Sequence, residues 1–283
     1  MKYFLIVLSV ATLTSQNIFR KQYNLKHNSG GILFSGIVSL FALLFFAVTT
    51  KNVPFEIQIL PYSLAFAACY GLTIISNYFA IIYGSLAVTT LILSYSLVIP
   101  TLYGFAFLGE KAGVSQVFGI ILLVVSLFLV NYQKKTKEFK LSVKWIVHVS
   151  ISFLTNGFCS IIQKQQQNRF NGAYNGSFMI IALFAVTVAL LTIGIIFERE
   201  SIKDAFKSGV VYGGLCGICN GANNYLVMLS LSVMATSVFF PILTAGQLIL
   251  TFMISAVFYR EKFGPNKLVG LFCGIAALIL LNL

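Results

Sequence analysis

Apolar runs long enough to cross hydrocarbon recur from one end of this 283-residue chain to the other, with little polar sequence between them. A membrane-spanning helix needs about 20 predominantly apolar residues. Windows of that size pick out segments near 3–20, 31–50, 59–82, 86–108, 113–131, 145–163, 175–197, 207–230, 233–258 and 266–283. Charged residues make up only 9% of the chain, where a soluble domain carries about 25%, so there are too few to wet a globular surface. A closed β-barrel is the other structure that pairs every backbone group in lipid. Barrel strands alternate apolar and polar residues, and runs such as Ile120–Val130 do not. The expected fold is an all-α polytopic membrane protein. The stretch after Met1 and Lys2 has no small-residue cleavage site and stays apolar to Phe19, so it reads as the first transmembrane helix and not as a signal peptide.

The most polar stretch, residues 131–140, divides the ten segments into two fives, and the two halves carry an internal repeat. At an offset of 147, Cys69 matches Cys216, Asn77-Tyr78 matches Asn224-Tyr225, Ser85 matches Ser232 and Thr89 matches Thr236. At an offset of 151, Glu110-Lys111 matches Glu261-Lys262, Gly119 matches Gly270 and Asn131 matches Asn282. The change of offset places four residues gained in the ninth segment or lost from the fourth. Five is odd, so the second half enters the membrane inverted. The expected organisation is a first half over 1–131, a basic linker over 132–144 and a second half over 145–283, giving ten transmembrane helices as a 5+5 inverted repeat. Inverted repeats meeting near the bilayer midplane are a recurring plan of secondary transporters.

The net charge of +12 is spread through short loops and not gathered in one domain, which argues against nucleic-acid binding and for topology signals. Fourteen Lys and Arg residues, Arg20, Lys21 and Lys26 among them, fall after the first, fifth, seventh and ninth segments. Five (Lys2, Lys51, Lys111, Lys164 and Arg169) fall on the other side. The positive-inside rule then sets the fourteen in the cytoplasm and both termini outside the cell membrane. All five cysteines lie in apolar segments, and the Cys216/Cys219 pair has no second pair or histidine near it, so no metal or cofactor is expected. The two histidines, His27 and His148, belong to no H-E-x-x-H or Ser/His/Asp grouping. A membrane-embedded lipid-modifying enzyme, the alternative from another class, lacks the residues it needs.

Phe107-Leu108-Gly109-Glu110-Lys111 precedes Gly119-Ile-Ile-Leu-Leu, and Phe258-Tyr259-Arg260-Glu261-Lys262 precedes Gly270-Leu-Phe-Cys-Gly274. With its five-helix halves, the chain resembles the EamA-like family of the drug/metabolite transporter superfamily over essentially its whole length. The second copy departs from the Leu-Gly-Glu pattern, with Tyr-Arg in place of Leu-Gly. The resemblance implies a ten-helix carrier and leaves the cargo open, because members of the superfamily export amino acids, other metabolites and drugs.

An ionisable residue deep in a membrane segment is a functional candidate by default, and this sequence presents almost none. Glu110 and Glu261 sit at helix ends beside Lys111 and Lys262 and read as structural. Glu56, Glu138, Glu198, Glu200 and Asp204 read as loop residues, and His148 beside Trp145 as interfacial. With no membrane carboxylate, an organic-cation drug exporter is disfavoured. With no evident buried Lys or Arg, so is an anionic phosphate. The expected cargo is a small neutral or zwitterionic metabolite, amino-acid-like and exported. Its candidate contacts are Gln16 and Asn17 in the first segment, Asn77 and Tyr78 in the third, Tyr95 in the fourth and Asn156 in the sixth, then Asn220, Asn224 and Tyr225 in the eighth and Gln247 in the ninth. An amide facing lipid is left unsatisfied, so these groups must face protein or a wet cavity. Gly209, Gly213, Gly217 and Gly221 recur every four residues as a stripe for close helix approach, and Pro100 and Pro241 are expected to bend their helices. The partners implied are a small-molecule substrate and the lipid bilayer, with monomer and homodimer both open.

Overall fold

The computed structural model describes residues 2–26, 30–50, 53–84, 89, 92–111, 113–131, 142–207, 209–257 and 264–282. Among them are eleven α-helices and no strand. The first five are α1 (Lys2–Lys26), α2 (Gly31–Thr49), α3 (Leu60–Tyr83), α4 (Val98–Phe107) and α5 (Val114–Asn131). The others are α6 (Val143–Phe170), α7 (Asn175–Phe197), the short α8 (Ile202–Lys207), α9 (Gly209–Val233), α10 (Thr236–Val257) and α11 (Pro265–Asn282). Each apolar segment read from the sequence overlaps one of these helices. Ser85, the Glu261-Lys262 copy of the motif and residues 132–141 of the linker lie outside the described residues.

Among the described residues five helical stretches are long and apolar enough to cross a membrane: Gly31–Thr49, Ile57–Tyr83, Val143–Phe170, Asn175–Phe197 and Thr236–Ile254. Large apolar side chains such as Phe107, Phe118, Phe184, Phe197 and Phe272 are exposed on the outer face. An apolar surface of this extent suits lipid and not water, and the protein is an all-α, membrane-embedded one. Two helices outrun their apolar windows. α1 continues to Lys26 and α6 to Phe170, because a helix persists wherever its backbone is paired, whereas a hydropathy window ends where lipid-facing side chains end.

The main packing partners are α1 with α9, α3 with α6, α2 with both α7 and α9, α3 with α7, α4 with α10, and α5 with α11. Gly194 near the end of α7 lies against Leu33 at the start of α2, and Gly176 at the start of α7 lies against Thr50 just beyond α2, so these two run antiparallel. The largest core cluster, with Phe46, Phe66, Phe178 and Met228, fills the space between α2, α3, α7 and α9. A second, with Val10, Leu231, Phe239 and Leu281, joins α1, α9, α10 and α11. Met234 and Ala235 alone separate α9 from α10. Pro241 lies inside α10, and Pro100 follows a 3-10 turn, Tyr95–Leu97, at the entry to α4.

Helix N-termini present unpaired N–H groups, and two carboxylates answer them. Glu198, read from the sequence as a loop residue, is 6% exposed. It accepts hydrogen bonds from the backbone N–H groups of Ile32 (3.1 Å) and Leu33 (2.8 Å) in the first turn of α2. Glu110 accepts from the N–H groups of Thr236 (2.9 Å) and Ser237 (2.8 Å) at the start of α10. Its role is structural, as expected, but it caps a helix of the other half. Burial alone would raise the Glu110 pKa. Hydrogen bonds from Ser237 and Thr236, with the Lys164 charge, outweigh that and hold the carboxyl below its ordinary value.

The glycine stripe of α9 faces α2. Ile37 packs beside Gly213, Phe41 beside Gly217 and Phe45 beside Gly221. A methyl at Gly217 would sit 2.5 Å from the backbone oxygen of Val38 and 3.2 Å from the nitrogen of Ala42, neither of which can rotate away. Gly217→Val should therefore cost at least about 2 kcal/mol by forcing the helices apart. Gly264→Ala, with nothing within 4 Å, should be neutral. Melting temperature and monodisperse yield in detergent measure both.

Candidate functional site

Six helices, α1, α2, α3, α6, α9 and α10, with residues 93–97 just before α4, surround a cavity of about 460 Å3. That is in the range of small-molecule sites, about 300–1,000 Å3. Each long helix lines it with one face at helical spacing. On α1 these are Leu13, Gln16, Arg20 and Asn24, and on α9 Asn220, Asn223, Asn224 and Val227. The sequence repeat reappears in the lining, since Gln16/Gln163 and Asn77/Asn224 both stand at the offset of 147.

Of the candidate contacts, Gln16, Asn77, Tyr78, Asn156, Asn220, Asn224 and Gln247 line this cavity together. Three do not. Asn17 is exposed at the edge of the α1 lining stripe and faces outward. Tyr95 turns its hydroxyl to the backbone oxygen of Val124 on α5 (3.1 Å). Tyr225 is 41% exposed, with its ring against Phe46. Neighbouring residues on a helix point about 100° apart, so Asn223 and Asn224 flank the stripe that Asn220 and Val227 centre, and Tyr225, one step further round, faces away.

A polar network crosses the floor of the cavity. Gln163 Nε2 donates to Asn224 Oδ1 (3.0 Å). Asn224 Nδ2 donates to the Asn220 backbone oxygen (3.0 Å) and to Asn220 Oδ1 (3.2 Å). Asn220 Nδ2 then donates to the Tyr70 hydroxyl (3.2 Å). On the opposite wall Asn156 Nδ2 donates to Ser96 Oγ (2.6 Å). Both polar atoms of the Asn224 amide are thus engaged by protein. By contrast Gln16 Oε1, Asn77 Oδ1 and Asn223 Oδ1 are buried and have no hydrogen-bond partner. These lining groups are available to a polar guest.

The two ends of the cavity differ. At one end the lining reaches Asn24 and Ile81, both exposed, with Lys26 ending α1 two residues on and Lys144 over the Tyr83 ring. At the other end it stops at buried Val227, Phe240 and Leu243. Beyond that floor Lys164, 9% exposed, donates to the Leu231 backbone oxygen (2.9 Å) and lies in the field of Glu110. Gln165 beside it donates to the Tyr103 hydroxyl. His148 stands apart from the cavity lining, its ring stacked against Phe79 and Tyr83.

One buried and one half-buried cation correct the sequence reading that no buried Lys or Arg is evident. Lys164 is inside α6, and Arg20, counted there as a loop residue, is inside α1 and lines the cavity. A polar helix end can carry a cation inward when it borders a wet cavity and not lipid. Arg20 was recoverable from the sequence, because it stands four residues after Gln16 on the same helical face. Gln163 was recoverable as the repeat partner of Gln16.

No protein-family model matches this sequence, and no curated protein matches it. A solved crystal structure described only as that of a protein superposes with a TM-score of 0.81, over 99% of this chain and 95% of its own, at 9% identity. At that identity the likeness establishes the fold alone.

The hydrogen bonds separate two roles. Asn224→Leu breaks the one bond that ties the network to α6 and should cost about 0.6 kcal/mol, lowering the melting temperature by about 1–2 °C. Asn77→Leu removes an unpartnered group and should leave thermal stability unchanged. Thermal unfolding of the two purified variants compares them directly.

Proposed function

We propose that this protein is a secondary transporter, a 5+5 inverted-repeat carrier that moves a small polar metabolite across the cytoplasmic membrane by alternating access, in the direction of export. The observation that carries the reading is the cavity itself, lined by amides of both halves, reaching exposed residues at one end and stopping at buried Val227, Phe240 and Leu243 at the other. A midplane site between inverted repeats is the plan on which many such carriers work.

The helix pairing supports the repeat. Exchanging the halves turns α1–α9 into α6–α3, and α2–α9 into α7–α3, while α2–α7, α4–α10 and α5–α11 map onto themselves. All of these contacts are present, as a two-fold axis in the membrane plane requires. The resemblance to the EamA-like drug/metabolite transporters points the same way. The exposed end of the cavity lies on the side richer in Lys and Arg, which the positive-inside rule assigns to the cytoplasm. In that orientation the cavity faces inward and both termini lie outside. An organic-cation cargo is disfavoured, because no carboxylate belongs to the lining among the described residues.

Purified protein in liposomes should move at least one member of a broad panel of small polar metabolites with saturable kinetics. Asn77→Leu should lower that flux about tenfold, equivalent to about 1.4 kcal/mol. Flux of no panel member, or flux that rises without saturation, contradicts the carrier reading.

A further inference from the structure

Of the residues that line the cavity, Arg20 is the only charged one among those described. Among the described residues its partners carry no charge. The guanidinium hydrogen-bonds the Cys216 side chain and acts electrostatically on the Tyr70 hydroxyl, and both groups are neutral weak partners. Its Nε is buried with no hydrogen-bond partner. Glu198, the carboxylate that reaches a lining residue, is committed elsewhere. Its two oxygens take the N–H groups of Ile32 and Leu33, and the Tyr78 hydroxyl hydrogen-bonds it from the cavity side. A cation held among packed helices without a counter-charge is costly, and the energetic deficit is removed when a guest supplies the anion.

Resting on the carrier reading, we propose that the cargo is an organic monoanion whose carboxylate is read by Arg20, while its remaining polar groups are read by Gln16, Asn77 and Asn223. Three features select this class. A guanidinium presents a planar fork of donors that matches a carboxylate in bidentate geometry. One cation in the lining neutralises one negative charge, so a phosphate dianion would leave a net charge in a low-dielectric site. A zwitterion would bring an ammonium group for which the lining supplies only neutral acceptors, so it binds less tightly than a monoanion. The three unpartnered amide oxygens accept hydrogen bonds, which fits hydroxyl or N–H groups on the body of the cargo. The expected order is therefore hydroxy- or acylamino-carboxylate first, amino acid second, neutral amide last. This replaces the neutral or zwitterionic cargo drawn from the sequence, which assumed no cation in the site.

Selective retention of compounds from a complex mixture tests this directly. Wild-type protein, Arg20→Gln, Arg20→Lys and Lys203→Gln are incubated in detergent with a total metabolite extract of the expressing cells, desalted, and their bound compounds identified by mass spectrometry. Lys203 is an exposed basic residue of α8 and controls for general surface charge. The proposal expects a wild-type set dominated by monocarboxylates, reduced at least tenfold by Arg20→Gln, partly kept by Arg20→Lys and unchanged by Lys203→Gln. Gel filtration and circular dichroism check that Arg20→Gln is folded, and the wild-type set stands as a test by itself. A neutral, cationic or dianionic wild-type set overturns the charge assignment and leaves the carrier reading standing. So does a monocarboxylate set that a folded Arg20→Gln retains. A wild type that retains no small molecule at all overturns both.

Discussion

Two carboxylates at helix starts hold this bundle in register. Inside lipid every backbone donor must be paired, and the first turn of a helix has donors with no partner of its own. Glu110 follows α4 and caps α10, while Glu198 ends α7 and caps α2. Each bond joins one half of the chain to the other. The same geometry places the helix ends that frame the cavity. Tyr78, hydrogen-bonded to Glu198, belongs to the lining, and Glu110 is felt by Lys164 below the floor. A charge placed for structure thus also shapes the site, and this is why so few acidic residues suffice.

The cavity follows from polar stripes on otherwise apolar helices. A helix in lipid can keep an amide only where it faces protein or water, so stripes of Asn and Gln on α1, α3, α6 and α9 turn inward and converge. Part of that polar surface is consumed by the helices themselves, in the Gln163–Asn224–Asn220–Tyr70 chain. The rest, with Arg20, is unspent. The seam between α2 and α9 has no such polarity, and there glycines at four-residue spacing bring the backbones together.

The segment positions were legible because hydropathy reports what lipid sees. The ends of α1 and α6 were not, since a helix that borders a cavity continues through polar sequence such as Arg20-Lys21-Gln22 or Gln165-Gln166-Gln167. The site amides were legible as residue types, and most of the residues chosen on that ground fell in the lining. Tyr225 was an error of helical phase, since it points away from the stripe of Asn220, Asn224 and Val227 at about 100° per residue. Asn17 stands at the edge of the α1 stripe, three residues from Arg20, and faces outward. Glu198 could not be placed from sequence, because its partners on α2 are 165 and 166 residues away. Tyr95 carried no signal that its hydroxyl turns to α5.

Helices α1, α2, α9 and α10 pack on one side of the cavity and α3, α4, α6 and α7 on the other, with α2 against α7, α4 against α10 and α6 against α9 between them. Alternating access requires the cleft between these groups to close at one end as it opens at the other. Spin-label distances in liposomes measure this most directly, with one pair at Asn24 and Ile81 and a second at Phe107 and Ser232, all exposed positions on α1, α3, α4 and α9. The account predicts two populations for each pair, linked inversely, so that conditions which shorten the first distance lengthen the second. A single distance at each end, unmoved by the metabolite extract, would contradict it.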